Sequence, residues 1–65
     1  MGVDALSRRE HEVALLTAHG STATEIAGHL HLSRRTVESH LESLYGKLGV
    51  TSKTELIRRA AEFGL

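Results

Sequence analysis

The sequence predicts an all-α domain of four short helices, spanning about residues 8–19, 23–30, 34–48 and 53–62. Three observations carry that expectation. Apolar residues recur at three- and four-residue spacing in four separate stretches, and nowhere alternate as a strand would require. A Ser or Thr stands at the head of each stretch, three times with a Glu three residues later. Glycine follows the first and third stretches, and no proline interrupts any of them.

In the first helix, Ser7-Arg8-Arg9-Glu10 has the form of a capping box. The hydroxyl accepts a free amide of the first turn while the carboxylate reaches back to the cap. Val13 and Leu16, with Ala14, Leu15 and Ala18, supply the expected buried side, and Leu6 is a candidate hydrophobic staple. Gly20 stands where a left-handed residue ends a helix. Thr22-Ala23-Thr24-Glu25 opens the second helix with a second box, and Ile26, Ala27 and Leu30 form its apolar face. Ala27 is small enough for two helices to cross closely. Gly28 lowers helicity by roughly 1 kcal/mol against Ala. His31 and Leu32 then lead to Ser33, the cap of the third helix. A short helix, a turn of about three residues and a longer helix make the helix-turn-helix plan.

The third helix has two unlike faces. Val37, Leu41, Leu44 and Leu48 follow at i, i+4, i+7 and i+11 and form the core stripe. Opposite them lie Arg35, Ser39, Glu42 and Gly46, flanked by Glu38 and Ser43. That outer face is small and hydrogen-bonding rather than a lattice of long ion pairs, as a helix entering a DNA major groove requires. Gly49 and Val50 complete a Schellman-like stop. Ser52-Lys53-Thr54-Glu55 is a third capping box, and Leu56, Ile57, Ala60 and Phe63 make the stripe of the fourth helix. This stripe exceeds what so small a core can use, so Leu56, Ile57 and Ala60 are the expected contact between two copies.

Composition bounds the rest. At 65 residues the chain is one domain, residues 6–65, too small for a deep catalytic cleft. Residues 1–5 are expected to be a tail, with Met1-Gly2 an expression remnant, and the domain to be part of a longer protein. There is no cysteine, hence no disulfide and no thiolate metal site. No apolar run approaches the ~18 residues of a membrane span, so a cytoplasmic, nucleoid-associated protein is expected. Eight basic residues balance eight acidic ones. This argues against nucleic acid as partner, but the cations come in pairs or near helix ends, and their distribution matters more than their sum. Among five histidines, His29, His31 and His40 could converge, yet a zinc site needs three or four supported ligands. His40 is expected half-buried and hydrogen-bonded beside the outer face. No metal, cofactor or catalytic group is expected: no nucleophile–base pair or pair of acids stands at usable spacing.

Several of these residues together are specific. Leu6-Ser7-Arg8-Arg9-Glu10, Val13, Leu16, Gly20, Glu25-Ile26-Ala27, Leu30, Ser33, Thr36-Val37-Glu38-Ser39-His40-Leu41, Tyr45-Gly46-Lys47-Leu48-Gly49-Val50, Ser52 and Glu55-Leu56 resemble the LuxR-type (GerE-like) helix-turn-helix domain. The resemblance spans about residues 5–62. It extends beyond the simpler sigma-factor helix-turn-helix, which lacks the segment from Lys47 into a fourth helix. It implies the C-terminal effector domain of a bacterial transcription regulator, with helix 3 in the major groove and helix 4 at a two-fold dimer contact. The pattern around Thr36–Leu41 and Tyr45–Val50 looks most like the large ATP-binding regulators, although no Gly-rich phosphate loop is present here. Relatives often carry lysine where Glu38 and Glu42 stand, and a basic phosphate contact where Thr24 stands. Two carboxylates there filter rather than attract: they accept from cytosine N4 and repel phosphate.

Each candidate contact has a plainer alternative. Arg34 and Arg35 crowd the positive end of helix 3, a costly place for cations unless phosphate or guanine is their target; otherwise they are solvated charge. Thr36, by resemblance, touches phosphate, or else packs or bonds back to the helix. Ser39 touches a base or merely gives clearance. Glu38 reads a base or pairs with Arg34; Glu42 reads a base or pairs with Lys47 or solvent. Lys47 and Lys53 contact phosphate, or Lys47 simply suits the negative end of its helix. The expected function is sequence-specific binding of double-stranded DNA at an inverted-repeat promoter site, as a homodimer, acting by occlusion or recruitment of RNA polymerase. A protein-interaction module on the same scaffold, its acidic face meeting a basic partner, is the alternative. With selectivity favoured over affinity, a single copy is expected to bind weakly.

Overall fold

The computed structural model describes residues 5–65, so residues 1–4 of the expected tail lie outside the described residues. Four helices follow in order: α1 Arg8–Ala18, α2 Ala23–Leu30, α3 Arg34–Leu48 and α4 Lys53–Arg58, with a closing 3-10 turn at Ala60–Phe63. No strand occurs among the described residues. The architecture is all-α.

Local chemistry sets the helix starts. The Ser7 amide donates to Glu10 Oε1 at 2.9 Å and the Glu10 amide to Ser7 Oγ at 3.2 Å, closing the box on α1. The box on α2 closes likewise, with Thr22 N–H to Glu25 Oε1 at 2.8 Å and Glu25 N–H to Thr22 Oγ1 at 3.1 Å. α4 departs from expectation. Ser52 Oγ accepts the Glu55 amide, but the Glu55 carboxylate reaches one residue further back, to the amide and hydroxyl of Thr51 at 2.8 and 3.0 Å. Only half of the third box forms, because Thr51 offers two donors where the Ser52 amide offers one.

The stops are left-handed residues. Gly20 and Gly49 have φ of +97° and +71°. α2 ends the same way on His31, with φ 59° and ψ 42°, a conformation unusual for a side chain larger than Asn. The Leu32 amide then donates to the Ala27 carbonyl at 2.9 Å, which turns the chain into α3. α4 stops at Arg58, shorter than expected. The chain tightens into the 3-10 turn, where Arg59 is held by Glu55 at 3.3 Å and Glu62 at 3.4 Å and its guanidinium lies 5.1 Å from the Phe63 ring.

α3 packs across both α1 and α2, and α4 returns against α1. The shared core takes Val13 and Ala14 from α1, Ile26 and Ala27 from α2, and Val37, Leu44 and Leu48 from α3, closed by Val50, Leu56 and Phe63. Leu15, expected inside, is 38% exposed and lines a shallow cleft with Glu12, Leu16, His29 and Leu30. Its place on the buried side of α1 is taken by two polar residues, Glu10 and Thr17. Thr17 is tolerated there because its hydroxyl donates to the Val13 carbonyl at 2.7 Å. Among the described residues no buried side-chain nitrogen or oxygen lacks a hydrogen-bond partner.

Candidate nucleic-acid interface

α3 is fastened by Val37, Leu44 and Leu48, all buried, and this leaves the opposite side of the helix to solvent. Arg34, Arg35, Thr36, Glu38, Ser39 and Glu42 are all exposed, so the structure brings six expected contacts onto one continuous surface. From Arg35 to Glu42 that surface rises ~10 Å, the span of about three base pairs.

The opening turn of α3 differs from the others. α1, α2 and α4 each carry a glutamate in the first turn, whereas α3 has none and presents two arginines. The position filled elsewhere by glutamate is Thr36, whose amide donates to Ser33 Oγ at 3.0 Å and whose hydroxyl shares a 2.8 Å hydrogen bond with the same oxygen. Thr36 therefore does not pack inward, but its hydroxyl is engaged with the cap residue three positions back. Arg34 Nε meets Glu38 Oε2 at 3.2 Å, an exposed pair of the kind worth well under ~1 kcal/mol. Arg35 enters no ion pair among the described residues. His40 is half-buried beside this face.

The two lysines are engaged within the chain. Lys47 Nζ lies 2.7 Å from Glu10 Oε1 and Lys53 Nζ lies 2.8 Å from the Ser21 carbonyl. Each ammonium has three donors, so one internal bond leaves two. Glu42, the other partner considered for Lys47, is exposed and has no ion pair among the described residues. Ser43 is exposed, as expected for a residue flanking the outer face, and its hydroxyl also donates to Glu10 Oε2. Glu10 thus ties α1 to α3 while capping α1. Its carboxyl is held down at about 2, first by Lys47, then by Ser43 and the Ser7 amide, against the opposing effect of burial. The local motif hides this role, because Ser43 and Lys47 are more than thirty residues away. A lone buried acid on the core side of α1 is the trace it leaves in the sequence.

The expected strip between copies divides. Leu56 is wholly buried in the core, so its side chain has no surface to offer a partner; the correction follows from the rotation of α4 against α1. Ile57, next in sequence, is 42% exposed, and Ala60 is half-buried. Among the described residues no group of three or more His, Asp or Glu side chains is placed to hold a metal ion.

Comparison with known proteins fits this geometry. Residues 4–60 match the GerE family, bacterial regulatory proteins of the luxR type. The chain is 47% identical over 60 residues to the response regulatory protein YgeK of Escherichia coli, covering 92% of this chain and 41% of that protein. It is 46% identical over 56 residues to the transcriptional regulatory protein UhpA of E. coli, covering 86% and 29%. It is also 38% identical over 63 residues to a putative HTH-type transcriptional regulator of Mycobacterium tuberculosis, covering 97% and 7%. The chain spans less than half the length of each of these relatives. By its sequence and by its four-helix fold, the chain belongs to the luxR family of bacterial regulatory proteins, DNA-binding regulators of transcription.

Proposed function

We propose that this domain binds double-stranded DNA sequence-specifically, with α3 in the major groove, as the effector part of a longer transcription regulator. One observation carries the reading: α3 alone opens with two exposed arginines and no acid in its first turn. The positive helix end and the Arg35 guanidinium can then meet phosphate or a guanine edge, and Arg34 can exchange its exposed Glu38 pair for phosphate. Arg35 and Ser39 are the base-reading candidates, with Glu38 and Glu42 rejecting bases that cannot donate. Arg34, Thr36, Lys47 and Lys53 hold the backbone, the lysines through their remaining donors.

Pairing through exposed Ile57 of α4 and half-buried Ala60 of the 3-10 turn would let two copies read half-sites of an inverted repeat about one helical turn apart. Placement in the cytoplasm on the nucleoid, contact with RNA polymerase and the absence of catalysis belong to the same reading. The described helices include none long and apolar enough to cross a membrane. An N-terminal region like that of the large ATP-binding regulators belongs to this reading only by sequence pattern: the Mycobacterium relative is long enough to hold one, whereas YgeK and UhpA, more similar to this chain, are far shorter.

Selection from random duplexes at ~100 mM salt tests the proposal. An enriched motif is expected, with Arg35→Ala costing about 1–3 kcal/mol and relaxing one position of it. With few phosphate-binding cations, the salt dependence should be shallow, about −0.9 per neutralised phosphate. No enriched motif, or affinity indifferent to Arg35→Ala and Ser39→Ala, would transfer the outer face to a basic protein partner.

A further inference from the structure

We propose that Glu10 is a positioning residue for the α3 surface, setting the rotation at which Arg35 and Ser39 are presented. The inference rests on the DNA-binding reading above. Arg35, Ser39, Ser43 and Lys47 follow at four-residue intervals and form a single ridge along α3. Such a ridge drifts by ~40° at each step and winds slowly round the helix. All four are exposed to solvent, and the last two are in addition bound by the same carboxylate on α1. The half that would read DNA is continuous with the half that is fastened.

The fastening has the form a positioning device needs. Glu10 is 5% exposed, and both of its oxygens are used. Oε1 accepts the Ser7 amide at 2.9 Å, which fixes the carboxylate on α1, and Lys47 Nζ at 2.7 Å. Oε2 accepts the Ser43 hydroxyl. Two attachments one turn apart on α3 resist rolling of that helix, as a single attachment would not. Apolar contacts alone are non-directional and permit small rotations at little cost. Charge-assisted hydrogen bonds are directional and strong.

The experiment compares Glu10→Gln, Ser43→Ala and Ser7→Ala, each first shown to be folded by circular dichroism. The readout is the affinity ratio between the selected duplex and the same duplex with one contacted base pair changed. Ser43→Ala detaches one point of the ridge and leaves the cap of α1 intact; it serves if Glu10→Gln fails to fold. Ser7→Ala weakens the cap through the lost hydroxyl, while its backbone amide and both α3 attachments remain. The ratio should fall about tenfold in Glu10→Gln and Ser43→Ala, the worth of one lost base contact, and hold in Ser7→Ala. Wild-type discrimination in both folded α3-detaching variants, or an equal loss in Ser7→Ala, overturns the proposal. A wild-type chain that enriches no duplex instead overturns the DNA reading on which it stands.

Discussion

A carboxylate buried among apolar neighbours must be either neutralised or well supplied with donors, and Glu10 takes the second course. Its helix-capping half could be read from Ser7-Arg8-Arg9-Glu10, since both partners lie within four residues. Its other half depends on where α3 crosses α1, which only the packed core determines. Charge linkage makes the arrangement measurable. The folded-state value of about 2 lies below the ordinary 4.5, so the stabilisation is fully present above pH 4.5 and is lost as the pH falls toward 2. With Lys47 partly in solvent, its size is on the order of 2 kcal/mol. Urea unfolding across this window should show a steeper loss in wild type than in Glu10→Gln, which is less stable at neutral pH. Glu25 and Glu55 are lowered as well, by Thr22 and by Thr51 respectively, and supply a background slope common to both proteins. Parallel curves would show that Glu10 is no more stabilised as a carboxylate in the folded chain than in the unfolded one.

For the helices, legibility follows the range of the interactions that end them. α2 and α3 begin and end where the sequence places them, because hydroxyl caps, glycine stops and apolar spacing are local. α4 is misjudged for a related reason: Glu55 chooses between two nearby donors, and the chain beyond Arg58 answers to Phe63 seeking the core. His31 is the clearest omission. Histidine tolerates a left-handed backbone better than most side chains, yet glycine is the usual stop, and here the Ala27 carbonyl and the turn into α3 hold His31 there. His31→Gly should therefore stabilise the domain by about 0.5–1 kcal/mol, as removal of the Cβ strain exceeds the added freedom of the unfolded chain. Thermal unfolding would register this as a rise of several degrees. A fall would mean that the imidazole makes a compensating contact.

Taken whole, the molecule has one small core to which every helix contributes, and neighbouring residues on α4 have very different weights. Leu56→Ala should remove about 2–5 kcal/mol, a large part of the net stability available to a domain of this size. Ile57→Ala should leave isolated-chain stability within about 1 kcal/mol and reduce pairing on DNA, measured by sedimentation with a two-site duplex. If Ile57→Ala leaves pairing intact, α4 is not the contact. The apolar stripe names both residues, and the six residues of α4 are too few to fix its rotation before it meets α1. The same distinction between local and long-range information runs through the candidate interface. The exposed row from Arg34 to Glu42 follows from the period of α3, whereas the internal engagements of Lys47 and Lys53 depend on which elements fold against it.

Those two engagements bear on how a regulator built from this domain would behave. Lys47 and Lys53 steady the scaffold, so under the proposed reading a lone domain would grip the phosphate backbone lightly and dissociate quickly. Joining two such domains makes the second binding event intramolecular, and avidity then exceeds either single affinity by roughly 10²–10⁴ when the geometry fits. Occupancy of a two-site operator by pairing copies would climb with about the square of their concentration. The weak grip of each part would make the assembled whole responsive to anything that brings its copies together.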